Sequence, residues 1–221
     1  MAKALPRLLV VLLALLLAAA LFAAVFDLPQ PAVDLPAQVA ANLAQTGVEH
    51  PVTAVLLNYR GYDTLLEIAV LLLALLGVLA IAGKPATRTA ERVDPVLQML
   101  ARIAVPLMIL VAGYLLWAGA HRPGGAFQAG AVLAAAAVLL NLAGLLPAWS
   151  TPGKLLRLGL SAGFLVFLAV AAGLLAGGEL LRYPPQLAGG LILLIEAGLT
   201  GSIGLILAGL FLLTSERGRS R

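Results

Sequence analysis

The stretch Leu187–Leu213 reads LAGGLILLIEAGLTGSIGLILAGLFLL. It is 27 residues of almost unbroken apolar character with a single ionisable side chain, Glu196. A bilayer core of about 30 Å needs roughly 20 apolar residues per helix, so this stretch is long enough to cross. It also sets a problem, because an ionisable group inside such a segment is costly and marks a functional candidate by default. Glu196 lies nine residues past Leu187. At 1.5 Å per residue that is about 14 Å into the helix, near mid-bilayer.

The rest of the chain agrees with this reading. Its 221 residues are 62% hydrophobic and 11% charged, with a mean hydropathy of +1.06. Soluble domains carry about 25% charge, so too little polar surface exists here to face water. Five further runs qualify as spans: Leu8–Phe26, Leu65–Ala82, Met99–Ala118, Ala126–Leu146 and Leu155–Ala176. The expected fold is an all-α integral membrane protein with about six transmembrane helices. Val52–Leu57 is apolar but too short to cross, and Ala37–Gln45 is a candidate short interfacial helix. The first run has the basic start and Ala-x-Ala of a signal peptide. Its apolar stretch exceeds a usual h-region, so a retained helix is expected.

Charge sets the orientation. Of the 14 Lys and Arg residues, only Arg60, Arg122 and Arg182 fall on one side of these spans. Lys3, Arg7, Lys84, Arg88, Arg92, Arg102, Lys154, Arg157, Arg217, Arg219 and Arg221 fall on the other. Cytoplasmic loops carry the excess of Lys and Arg, so both termini are expected in the cytoplasm. The net charge of +4 fits membrane anchoring and gives no reason to expect nucleic-acid binding. With no cysteine and only His50 and His121, neither a thiolate site nor a multi-histidine metal site is expected. No cofactor fingerprint and no nucleophile with an oriented base is present, so no catalytic residues are assigned.

Four groups of polar residues stand out. Glu196 suits a proton relay or cation site; the alternative is a carboxyl that fixes helix packing by a hydrogen bond. Gly198, Gly201 and Gly204 follow it at a spacing of three and offer a groove for a close partner. Glu67 lies in NYRGYDTLLEIAVLL, where Thr64-x-x-Glu67 fits a capping box with Thr64 as N-cap. A capping carboxylate at a helix mouth is also able to load protons or cations. Asp63 favours the same helix N-terminus. Arg60 is placed to pair with Asp63, Glu67 or a partner's acid, or to anchor at the interface.

The fourth group is His121–Gly130, HRPGGAFQAG. Pro123, Gly124 and Gly125 make a turn, and the helix starting at Ala126 presents free amides, a mild anion-attracting spot. Walker spacing is absent, so this is not a phosphate loop. His121 is a loop histidine that meets water on the simplest reading. Asn141 reads as an interhelical hydrogen-bonder. Tyr114, Trp117, Trp149 and Tyr183 read as interfacial aromatics.

Taken together, HRPGGAFQAGAVLAAA resembles the Pro-Gly-Gly-Gly-Phe-x-x-Gly signature of the MrpB/MnhB-type subunit of multisubunit cation/proton antiporters. Pro123, Gly124, Gly125, Phe127 and Gly130 match, and Ala126 departs where the family usually has a third glycine. IEAGLTGSIGLILAGLFLL resembles the last helix of that family, with Glu196 on its acidic position. AVLLNYRGYDTLLEIAVLLLALLGVLA resembles the Arg-Gly-Phe-Asp-Thr-x-x-Glu segment at the C-terminal end of the large MrpA subunit and of E-type subunits of membrane-bound hydrogenases. Arg60, Gly61, Asp63, Thr64 and Glu67 match there, with Tyr62 replacing Phe. The resemblance implies an E-like two-helix module (1–83), a cytoplasmic linker (84–98) and a B-like four-helix module (99–221). It also implies a non-catalytic subunit in the prokaryotic cell membrane, working with other membrane subunits in Na⁺ (or another cation) and H⁺ exchange, or in a redox-driven ion pump. Glu67, Glu196, Asp63, Arg60 and His121 are then the candidates for the ion or proton path. A pure scaffold remains the third reading.

Overall fold

A computed structural model of the chain describes residues 4–28, 33–81, 94–146, 153–178 and 180–219. Lys84, Arg88, Arg92 and Trp149 lie outside the described residues. All regular structure among the described residues is helical. The chain divides into two compact units, Met1–Gln38 and Val39–Arg221. The first contains α1 (Ala4–Phe26), 23 residues that are apolar throughout after Arg7. Next in the chain comes α2 (Leu35–Asn42), started by the Asp34 carboxylate, which accepts the Ala37 amide at 3.0 Å. A 3₁₀ turn, Leu43–Gln45, follows, so the expected short helix is present.

The second unit is a bundle built round its last helix. Its members are α4 (Gly61–Ile81), α5 (Pro95–Ala118), α6 (Ala126–Leu142), α7 (Lys154–Ala176) and α8 (Ala188–Arg219). Helices α1, α4, α5, α7 and α8 are long and apolar enough to cross a membrane, and α6 is a shorter apolar helix of 17 residues. The central helix α8 packs against α6, α7 and α4, and α5 lies against α6. Ile192, Ile195, Leu199, Ile203 and Ile206 of α8 are almost fully buried, together with Ile68 of α4 and Phe167 of α7. Leu75 of α4 shares a second cluster with Leu160 and Ile206. Apolar burial drives little between helices in lipid, so fit between surfaces decides these contacts.

Glycines supply that fit. A Cβ on Gly130 of α6 would lie 2.8 Å from Ile203, and one on Gly204 would lie 3.0 Å from Leu133. On the other flank, a Cβ on Gly163 of α7 would collide with the Ser202 hydroxyl. The groove expected from Gly198, Gly201 and Gly204 is therefore corrected. Gly198 meets α7 and Gly204 meets α6; only Gly201 opens outward. The reason is geometric: each three-residue step falls short of a full turn, so the glycines wind round the helix instead of sharing one face.

Helix ends follow local rules. Asp94 caps α5, accepting the Val96 amide at 2.8 Å, with Pro95 as the first helical residue. Helix α6 stops at Leu142, four residues before the end expected from apolar character. Gly144, at φ 68°, closes it, with Gly144 N–H bonded to Asn141 O and Leu145 N–H to Leu140 O.

Before α4, the short apolar run is wound into the fold rather than left as a simple approach. Helix α3 (Pro51–Ala54) runs into a π turn over Val55–Tyr59, with Arg60 N–H bonded to Val55 O at 2.8 Å. Arg60 then breaks the run and α4 begins at Gly61. This corrects the capping box. Thr64 already lies inside α4, and its hydroxyl donates to Leu56 O at 2.6 Å in the π turn. The turn offers a carbonyl freed from its usual partner, and Thr64 satisfies it.

Arg60, Arg122 and Arg182 come together at the same end of the bundle, where α4 and α8 begin and α5 ends; Lys154 starts α7 at the opposite end. Within this unit the described members of the two cation groups, Arg60, Arg122 and Arg182 against Lys154, thus lie at opposite ends of the bundle.

Candidate functional site

The loop His121–Gly125 folds back on the last turn of α5. His121 and Arg122 donate to Ala118 O, and Gly125 donates to Leu115 O at 2.8 Å. Gly124 is pressed so close to Leu115 O that a Cβ would lie 2.5 Å from it. Gly125 occupies the N-cap of α6 with φ 101° and ψ −172°, and no side chain from its own segment caps that helix. The cap comes from elsewhere. The Ala126 amide donates to the carboxylate of Glu196, which is buried in α8.

A Cβ on Gly125 would stand 2.7 Å from Glu196 Oε1, and one on Gly119 would stand 3.3 Å from the same atom. The two glycines leave the space this carboxylate fills. A helix N-terminus carries unsatisfied amides and partial positive charge, so it suits an anion. The anion-attracting spot read from the sequence is therefore turned inward and taken by the chain's own Glu196. It also follows that α6 starts level with Glu196, about 12 Å along α8 from its first residue. The loop does not sit at the outer edge of the bundle, as a plain connecting turn would, and this explains why 17 residues suffice for α6.

Beside this cradle is a cavity of about 510 Å³. Its walls come from α3 and the π turn (Val52, Thr53, Leu56, Leu57), α4 (Thr64, Glu67), the loop and α6 (Pro123, Gly124, Phe127, Gln128) and α8 (Glu196, Leu199). Glu67 and Glu196 thus face one space, although they are far apart in the chain. Glu67 is exposed while Glu196 is buried, so the cavity joins a deep carboxylate to the outside of the fold. No cluster of three or more His, Asp or Glu able to hold a metal ion is found among the described residues.

Other sequence candidates are placed elsewhere. Arg60 Nε donates to Asp63 Oδ2 at 2.6 Å in an exposed pair, and neither residue lines the cavity. His121 also lies off the cavity. It is not a bare loop histidine: its Nδ1 is 3.1 Å from Glu49 Oε2, and its ring lies 5.6 Å from that of Trp117. This contact ties the segment before α3 to the α5–α6 loop. Glu49 and His50 amides reinforce it by donating to Ala120 O at 2.9 and 3.0 Å.

Three polar cavity residues were not singled out from the sequence as site candidates: His50, Thr53 and Gln128. Thr53 is buried and donates to Gly119 O. The one available signal was His50 next to Pro51, at the start of a short apolar run, and it points only to a helix start.

Two aromatics behave as interfacial residues do: Tyr114 and Trp117 are exposed near the end of α5. Tyr183 is not one of them. Leu181, at φ 59°, turns the α7–α8 loop inward, and Leu181 and Tyr183 enter the core. The Tyr183 hydroxyl has no partner among the described residues, and burial pushes its phenol upward from the ordinary value.

The fold and this site define a multi-pass helical membrane protein whose central helix carries a buried carboxylate docked on a neighbouring helix start. The chain belongs to the family of domains related to the MnhB subunit of Na⁺/H⁺ antiporter, whose model matches residues 96–215. That match contains the loop, α6 and Glu196. The fold is similar to a chain in the structure of the membrane-bound sulfane sulfur reductase, an archaeal respiratory membrane complex. There the TM-score is 0.75 at 26% identity, covering 95% of this chain and 98% of the other. It is also similar to a chain of the Mrp complex from Dietzia sp., with a TM-score of 0.68 at 22% identity. That match covers 92% of this chain and 26% of the longer one, and it speaks to the fold alone. No curated protein matches the chain.

Proposed function

We propose that this chain is a membrane subunit of a multisubunit cation/proton antiporter of the Mrp type, and that the cavity between Glu67 and Glu196 is part of its ion or proton path. One observation carries the reading: two carboxylates from separate halves of the sequence line a single cavity, one buried and one exposed. A packing role for Glu196 needs a hydrogen bond but no cavity beside it. Family membership supports the antiporter setting. In this reading residues 1–83 form an E-like module, 84–98 a linker and 99–221 a B-like module. Nearly the whole chain matches one part of a longer Mrp chain, in keeping with successive modules. Both termini face the cytoplasm, and the partners are the other membrane subunits. Asp63, Arg60 and His121 act at the rim, holding the elements that wall the cavity.

The second reading places the same module in a redox-driven ion pump. It is favoured by the match over 98% of a chain from a respiratory complex. The subunits that co-purify with the chain separate the two.

The test of the ion path is Glu67→Gln and Glu196→Gln in the complete complex, reconstituted in vesicles. Exchange of Na⁺ for H⁺ is expected to fall at least about tenfold in each, a floor below the roughly 10²–10⁴-fold that a positioned proton-transfer group supplies, while the subunits still co-purify. Unchanged exchange in both, with assembly intact, leaves only the scaffold.

A further inference from the structure

We propose that His50 is a proton-exchange station of the cavity, taking a proton at one ring nitrogen and releasing one from the other toward the water shared with Glu67 and Glu196. The inference rests on the ion-path reading above and adds a residue to it.

The argument runs through the polar groups on the cavity wall. Thr53 and Thr64 direct their hydroxyl protons to Gly119 O and Leu56 O. They have no proton to pass on without breaking those bonds. Gln128 carries no exchangeable charge. Glu67 and Glu196 are the two acids. His50 is the remaining wall residue with a titratable side chain.

Its setting suits that role. The His50 backbone is fixed by its bond to Ala120 O. The residue stands at the N-cap of α3, yet its imidazole makes no capping bond. Among the described residues the ring has no hydrogen-bond partner, while it is half-buried and lines the cavity. Imidazole both donates and accepts, and is the side chain whose charge changes most readily near neutral pH. The other histidine, His121, is held by Glu49 instead. The charged groups around His50 are Glu67 from α4, Glu196 from α8, and Glu49, His121 and Arg122 from the neighbouring segment and loop. Arg122 is exposed.

The test uses the complete complex in vesicles and reads isotopic Na⁺ uptake driven by an imposed proton gradient, at several pH values. His50→Ala and His50→Asn are compared with the wild type, with and without imidazole in the medium. The cavity is large enough to admit that small base. Both variants are expected to assemble and to lose at least about tenfold of the uptake, as loss of a positioned proton-transfer group implies. Imidazole is expected to restore about half or more of the uptake in His50→Ala, with a steeper rise toward alkaline pH, and to leave Glu196→Gln and the wild type unchanged. A residue needed only for shape gains nothing from added imidazole. Full uptake in His50→Asn overturns the proposal, as does an intact His50→Ala complex that imidazole does not rescue. If Glu67→Gln and Glu196→Gln are inactive while His50→Ala is normal, only the His50 station is lost. If all three are normal, the ion path itself is lost.

Discussion

Replacing Gly125 with alanine tests the cradle that holds Glu196. Two costs add. First, φ 101° with ψ −172° lies in a region open essentially to glycine, and a side chain there costs about 1–3 kcal/mol. Second, the new Cβ would stand 2.7 Å from Glu196 Oε1, inside contact distance, so the carboxylate must retreat. Its bond to the Ala126 amide is then strained or lost, and leaving a buried polar group without its partner costs about 1–3 kcal/mol. Because the site relaxes in part, a loss of about 3–5 kcal/mol is expected. The control is Gly201→Ala in the same helix as Glu196, where a Cβ meets nothing within 4 Å. Alanine exceeds glycine in helix propensity by about 1 kcal/mol, so this variant is expected to be neutral or slightly more stable. Reversible unfolding of the full chain in mixed micelles, followed by tryptophan fluorescence, reads both. A Gly125→Ala chain within about 1 kcal/mol of the wild type, a change too small for either cost, would show that α6 does not start against Glu196.

Two further outcomes follow from local contacts. Thr64→Val removes the hydroxyl that donates to Leu56 O and leaves a part-buried carbonyl short of a partner. It is expected to lose about 1–2 kcal/mol in the same unfolding assay, while Thr64→Ser stays near the wild type; equal stability of all three contradicts the contact. Tyr183→Phe removes a hydroxyl without a partner, so stability at neutral pH is expected to hold or rise. The alkaline behaviour then differs in a defined direction. An ordinary phenol titrates near pH 10, and burial raises that of Tyr183. Above about pH 10 the unfolded chain therefore gives up a proton that the folded chain keeps, and stability falls as pH rises. Below that pH the group has no effect. Tyr183→Phe is expected to flatten this fall, and parallel curves for the two proteins contradict it.

How much of this was legible in the sequence depended on how far each feature reached along the chain. The spans were, because a run of about 20 apolar residues has few other solutions. So was the side on which Arg60, Arg122 and Arg182 gather, because alternation from loop to loop is a one-dimensional pattern. The capping box at Thr64 was misread because Thr-x-x-Glu is the same string whether it opens a helix or sits one turn inside it. What decided the matter was a carbonyl eight residues upstream, freed by a π turn, and no local pattern announces that turn. Tyr183 was misjudged because an aromatic at a helix end looks the same whether its loop turns outward or, through Leu181, inward.

The link between the two motifs was the least visible feature and is the one that matters most. Pro-Gly-Gly read alone is a turn, and Glu196 read alone is an acid in lipid. Each leaves something unmet: the turn exposes amides that want an anion, and the acid wants donors. The structure answers both needs with one contact, since the Ala126 amide meets the Glu196 carboxylate across Gly125. It also shows which glycine is required. Ala126 stands where the resembling family has its third glycine, yet it supplies only an amide to this contact, and alanine has one. Gly125 supplies absence of a side chain, and no other residue can do that. The departure at Ala126 is therefore compatible with the same site, whereas a departure at Gly125 would not be.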